Sequence, residues 1–130
     1  MLFFITVLIL LGGFFAMKML LNRGIAQITA ADAKSLINDP EVTILDVRTH
    51  GEFDEGHLSK ARLIPVAELK NRLPEIVSLK ERPVLVYCHS GNRSSIACQI
   101  LKRNGFTNLT NLRGGIAAWQ GRGNEVVREK

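Results

Sequence analysis

The chain reads as an α/β domain with a mostly parallel central sheet flanked by helices, preceded by one transmembrane helix. Three observations predict this. Short β-branched apolar runs alternate with segments of helical apolar spacing through most of the 130 residues. Two of those runs, residues 42–47 and 84–87, are mostly apolar without strict alternation, as strands buried on both faces are. The first 21 residues are almost uniformly apolar.

From Met1 to Met17 there is no charged side chain; Lys18 interrupts, and Met19-Leu20-Leu21 continues the run. At ~1.5 Å per residue this segment spans ~31 Å, close to the ~30 Å hydrocarbon core of a bilayer. Lys18 lies near the end, where it can snorkel to the headgroups. A secretory signal would begin with a basic region and end at a small-residue cleavage site. This segment begins Met-Leu-Phe-Phe and is read as an uncleaved anchor over residues 1–21. Lys18, Arg23 and Lys34 follow the span and nothing basic precedes it except the α-amino group. The positive-inside rule therefore puts the remainder of the chain in the cytoplasm; the expected location is a bacterial inner membrane.

Residues 22–27 are read as a linker, 28–122 as the folded domain and 123–130 as a polar tail that frays. Ala26-Gln-Ile28 makes a brief strand. Thr29 with Asp32 has the spacing of a capping box and opens a helix through Leu36-Ile37, which Asn38-Asp-Pro40 ends. Residues 42–47 form a buried strand, and one helical turn is expected around Glu52-Phe53. Arg62-Leu-Ile64 is a short strand stopped by Pro65. Val66, Leu69 and Leu73 share one face of the helix that follows. Residues 84–87 are the next strand, and a helix is read from Ser94 to Arg103 with Gly105 beyond its end. Leu109 to Leu112 is the last strand, and Gly114-Gly115 turn the chain into a short helix at Ile116–Trp119, with Trp119 packing it onto the core.

The formal charge is +5, spread along the chain rather than gathered into a stripe with interleaved aromatics, which argues against nucleic acid as a partner. The two cysteines, Cys88 and Cys98, are too few for a disulfide framework and have no histidines at zinc spacing, so no metal is expected.

The chemistry is concentrated in Cys88-His89-Ser90-Gly91-Asn92-Arg93-Ser94. A strand runs into a cysteine, a polar loop turns at glycine, and a helix begins. Such a loop points backbone N–H groups inward at the positive end of a helix, where negative charge is stabilised. His89 and Arg93 add positive potential, so Cys88 is expected to be a thiolate and a nucleophile at neutral pH. The competing reading, an inert core cysteine, is weak in a loop without large apolar residues. It suits Cys98, which lies beside Ala97 on a helix, although a resolving thiol stays open for that residue.

In this setting the chain resembles the single-domain rhodanese family of sulfurtransferases. The resemblance is carried by Ile44-Leu-Asp-Val-Arg48, Glu52-Phe53, Gly56-His-Leu58, Ile64-Pro65, the loop from Cys88 to Ser94, and Leu112-Arg-Gly-Gly-Ile-Ala-Ala-Trp119, in the family's order. It implies a double displacement without metal or organic cofactor. Cys88 takes a sulfane sulfur from a thiosulfate-like anion, and a thiol or cyanide accepts it from the resulting persulfide. His89, Ser90, Gly91, Asn92, Arg93 and Ser94 would bind the donor, with Ser94 also capping the helix and Arg48 a further candidate. Asp46, Glu52 and His57 would support the site. Asp46 is expected on nearby backbone, Arg48 paired with Glu52, His57 structural and His50 exposed. The family commonly has Gly-Ala before its Ile-Pro strand; Lys60-Ala61 here changes that turn and adds charge.

Two other readings compete with a membrane-anchored sulfurtransferase. A cysteine phosphatase or arsenate reductase of related fold would need a wider loop; such phosphatases place five residues between cysteine and arginine, and here there are four. A non-catalytic membrane-tethered binding module would typically have lost the cysteine, which is present.

Overall fold

The computed structural model describes residues 1–21 and 24–128, with backbone alone over residues 17–21. Helix α1 spans Leu2–Leu21, and its apolar side chains stand in the open: Leu2, Phe3, Phe4, Leu10 and Phe14 are all more than two-thirds exposed. Among the described residues, no helix is long and apolar enough to cross a membrane. The side chains of Lys18 and Met19-Leu20-Leu21, and residues 22–23 of the expected linker, lie outside the described residues. The expected transmembrane anchor is therefore not established by the structure.

Five strands form one parallel sheet in the order β1-β5-β4-β2-β3, with β1 at Ile25–Thr29, β2 at Thr43–Asp46, β3 at Arg62–Leu63, β4 at Val84–Tyr87 and β5 at Leu109–Arg113. Every pairing is parallel. Residues 25–27 therefore belong to the sheet rather than to a linker.

β4 is central and buried along its whole length. Strand periodicity sends Val84 and Val86 to one face and Leu85 and Tyr87 to the other. The first pair packs with Leu45, Val47, Leu69, Ala97, Cys98 and Leu101. The second packs with Ala33, Ile37, Ile44, Leu112, Ile116 and Trp119. Cys88 continues the Val84–Val86 parity and joins the same cluster as Cys98.

The helices are short apart from α1 and α5. α2 (Lys34–Ile37) starts later than expected, without a side-chain cap; Thr29 does reach Asp32 at 3.3 Å, but only a turn follows. α3 (His50–Glu55) carries the true capping box. Thr49 accepts from the Glu52 N–H, and the Glu52 side chain accepts from the Thr49 N–H. The pattern Thr49-x-x-Glu52 was available in the sequence. Residues 66–75 wind as two 3₁₀ turns around α4 (Leu69–Arg72), α5 spans Asn92–Arg103 and α6 spans Gly115–Gly121.

The tail does not fray over its described length. His57 and Val127 exchange both backbone hydrogen bonds, at 2.9 and 2.8 Å, and the Trp119 indole donates to the Glu125 carbonyl at 2.9 Å. These contacts explain why a polar sequence is held: its backbone groups are paired, and Val126 packs with the core. Trp119 is 6% exposed and belongs to the core, as expected.

Candidate active site

In a parallel sheet, ligands gather at the carboxyl ends of the strands. Asp46 closes β2 at that end and Cys88 follows β4 there. Beyond Cys88 the chain turns at Gly91, whose φ of 106° excludes most other residues, and enters α5 at Asn92. α5 thus starts two residues earlier than its apolar pattern suggested, and Gly91 rather than Ser94 is its N-cap.

The Gly91 N–H donates to Cys88 Sγ at 3.1 Å, and the Ser94 Oγ lies 3.4 Å from the sulfur. Burial alone would push the Cys88 thiol up. The Ser94 hydroxyl and the N–H groups of Ser94, Gly91 and Ser90 outweigh it, so the net direction is down. Ser94 Oγ accepts from the Cys88 thiol and donates its own proton to the Gly91 carbonyl at 3.1 Å, which links the loop to the sulfur.

The other side of the loop is held by the turn at Gly114-Gly115 and the start of α6. The Ile116 and Ala117 N–H groups donate to the Cys88 and His89 carbonyls at 2.9 and 3.0 Å. Close approach requires glycine at 115: a Cβ there would sit 2.4 Å from both carbonyl oxygens. The first turn of α6 is therefore a clamp on the loop backbone.

Cys98 is fully buried one helical turn beyond Ser94, and burial followed by the nearby Cys88 charge pushes its thiol up to about 12. It is a core side chain, as its apolar surroundings suggested.

The expected Arg48–Glu52 pair does not form. Arg48 instead grips Asp46 through Nε and Nη2, with the shortest contact at 2.8 Å, and donates to the Gly56 carbonyl at 2.7 Å. Asp46 also accepts the Arg48 N–H at 2.9 Å, the backbone contact expected of it. Both residues are buried, and Arg48 lies over the Tyr87 ring. Burial and Asp46 push the Tyr87 phenol far up, so it stays protonated; its oxygen accepts the Leu58 N–H at 3.0 Å. This network ties β2, β4 and residues 56–58 together beneath the catalytic end.

Glu52 pairs with Arg93 across the mouth of the loop, bidentate at 2.7 and 2.9 Å. The Arg93 hydrogen bonds hold the Glu52 carboxyl at about 2. Arg93, expected to face the donor anion, is thus braced by a carboxylate from α3. His57 is buried, stacks on Phe53 with ring centroids 3.7 Å apart and bridges Val127, a structural placement. His50 is 70% exposed beside Glu68.

A groove of about 770 Å³ opens beside the loop, between α3, α6 and the C-terminal segment. His89 of the loop, Ile116 and Gln120 of α6, Glu52, Asp54 and Glu55 of α3, and Arg48 and Arg128 line it. Among the described residues, no group of three or more His, Cys, Asp or Glu side chains is arranged to hold a metal ion.

Residues 29–122 match the rhodanese-like domain family. The chain is 43% identical to the uncharacterised protein YqhL of Bacillus subtilis over 61% of each chain. It is 37% identical to a sulfurtransferase of Allochromatium vinosum, over 73% of this chain and 87% of that protein. A crystal structure of a rhodanese-related protein from Thermoplasma volcanium superposes with a TM-score of 0.70 at 32% identity, covering 80% of this chain and 99% of that one. Other relatives carry a different activity, among them a tRNA uridine(34) hydroxylase of Erwinia tasmaniensis, of whose length the chain spans 30%. With its motifs in order on the parallel sheet and its cysteine loop clamped at the sheet's carboxyl end, the chain belongs to the rhodanese-like domain family.

Proposed function

We propose that this chain is a membrane-anchored sulfurtransferase that moves a sulfane sulfur from thiosulfate or a similar donor to a thiophilic acceptor through a persulfide on Cys88. The observation that carries this reading is the convergence of the Ser94 hydroxyl and the Ser90, Gly91 and Ser94 N–H groups on Cys88 Sγ. The same donors that favour a thiolate favour a persulfide anion. In the first step the thiolate attacks the outer sulfur of thiosulfate; the new S–S bond forms as the donor's S–S bond breaks and sulfite leaves with the electron pair. In the second, the acceptor attacks the outer sulfur and Cys88 departs as thiolate. Arg93, with Glu52 bracing it, and the loop N–H groups would meet the donor anion.

The four-residue gap between Cys88 and Arg93 and the compact clamp by α6 favour a single sulfur over a tetrahedral phosphate. Retention of the cysteine weighs against a purely binding role.

Thiocyanate formation from thiosulfate and cyanide by the full chain, and its loss in Cys88→Ser, tests the catalytic reading. Hydrolysis of an aryl phosphate without sulfur transfer would replace it with the phosphatase reading.

The anchor rests on the almost uniformly apolar sequence of residues 1–21 and on the exposure of the apolar side chains described at its start, not on the length of α1. The charges at Lys18, Arg23 and Lys34 favour a cytoplasmic domain at a bacterial inner membrane. Resistance of the full chain to alkaline extraction, with a C-terminal reporter active in the cytoplasm, is the expected result; release into the soluble fraction would remove the anchor from the account.

A further inference from the structure

The groove beside His89 is larger than a thiosulfate-sized donor requires, and its charges fall into two classes. Arg48 is taken up by Asp46, and Glu52 by Arg93. Asp54, Glu55 and Arg128 are exposed, and among the described residues none of the three is in an ion pair. Two carboxylates on α3 and a guanidinium on the C-terminal segment therefore line the same groove. Arg128 is placed there by the His57–Val127 bridge immediately before it. A ligand matching this pattern carries an ammonium and a carboxylate on one small framework.

Resting on the sulfurtransferase reading above, we propose that the groove is the acceptor subsite and takes a zwitterionic aminothiol. Arg128 meets the carboxylate, Asp54 and Glu55 meet the ammonium, and the thiolate is directed past His89 towards Cys88. The acceptor thiolate, its proton already lost to solvent, attacks the outer sulfur of the Cys88 persulfide. An S–S bond forms to the acceptor, the bond to Sγ breaks, and its electron pair returns Cys88 to the thiolate. No oxidant or reductant is consumed.

The test loads the full chain with thiosulfate, removes the donor and follows loss of sulfur from Cys88 by intact mass. Cysteine, cysteamine, 3-mercaptopropionate and cyanide serve as acceptors, compared at equal thiolate concentration. Cysteine should be the fastest of the three thiols. Arg128→Ala should slow cysteine and 3-mercaptopropionate by about 3–5-fold and spare cysteamine and cyanide, the scale of a partly solvated ion pair. The double variant Asp54→Asn with Glu55→Gln should slow cysteine and cysteamine and spare 3-mercaptopropionate and cyanide. Equal effects on all three thiols, or none, would overturn the proposal while leaving sulfur transfer intact. Failure of thiosulfate to load Cys88 at all would overturn the sulfurtransferase reading and this proposal with it.

Discussion

Cys88 and Cys98 stand ten residues apart, in one core cluster on one face of the sheet, each essentially inaccessible to solvent. Their thiols nevertheless move in opposite directions, Cys88 down and Cys98 up to about 12. Burial raises both thiols; at Cys88 hydrogen bonds outweigh it, and at Cys98 it prevails. Cys88 sits where a strand has ended and a helix has not yet consumed its N–H groups, so three of them and a hydroxyl turn to the sulfur. Cys98 lies inside α5, where neighbouring N–H groups are committed to the helix. In this fold a buried thiol is lowered by unspent backbone donors at an element boundary.

The largest test of that contrast is to exchange the roles. Cys88→Ser should reduce thiosulfate-dependent transfer by about a thousandfold or more, since the covalent carrier is gone, while Cys98→Ala should change the rate less than about threefold. Comparable losses in both variants would mean that the two sulfurs share the work.

Gly115→Ala comes next. Its Cβ would collide with the Cys88 and His89 carbonyls, so the α6 clamp must release the loop. A fall in transfer of at least about tenfold is expected, with far-ultraviolet circular dichroism retained. Wild-type activity would show that the clamp does not shape the site.

The Cys98 thiol makes a prediction about stability in alkali. Its folded value is raised, so the stability tied to its protonated form is complete below the ordinary thiol value of 9 and is lost as pH rises towards about 12. Between pH 9 and 11 wild type should lose about 2 kcal/mol more unfolding free energy than Cys98→Ala, measured by urea titration. Parallel losses in the two proteins would count against a buried, unactivated thiol.

Ser94→Ala removes the side-chain hydrogen bond to Cys88 Sγ and leaves the backbone N–H groups. The midpoint of iodoacetamide alkylation against pH should rise, with Cys98 unreactive until the protein unfolds. An unmoved midpoint would assign the activation wholly to the backbone. The smallest effect belongs to the Glu52–Arg93 brace. Glu52 is lowered to about 2, so the pair's contribution is complete above the ordinary carboxyl value of 4.5 and disappears as pH falls towards about 2. At neutral pH Glu52→Gln should cost no more than about 1 kcal/mol, because the pair is partly solvated.

What the sequence revealed follows the same distinction between local and distant causes. The strands at residues 43–46 and 84–87, and the cysteine loop between β4 and α5, were legible because apolar runs and a glycine turn are local signals. The start of α5 was misplaced because Asn92 and Arg93 are polar and outside the apolar stripe, although Gly91 marks the cap. Arg48 was assigned to Glu52 by proximity along the chain; the structure gives it Asp46 and gives Glu52 to Arg93, 41 residues away, a pairing no spacing rule reports. The backbone bridge of Val127 to His57 and the clamp of α6 on the loop were hidden for the same reason. Lys60, noted as a departure from the family's glycine, adopts a φ of 66°, a glycine-like conformation retained without glycine.

The account depends most on where sulfur resides during turnover. Full chain mixed with an excess of thiosulfate, quenched before any acceptor is added and digested without reductant, should release about one equivalent of sulfite and carry one extra sulfur on the Cys88 peptide, with the Cys98 peptide unchanged. Sulfite release with no sulfur retained on Cys88, or sulfur found on Cys98 instead, would contradict it.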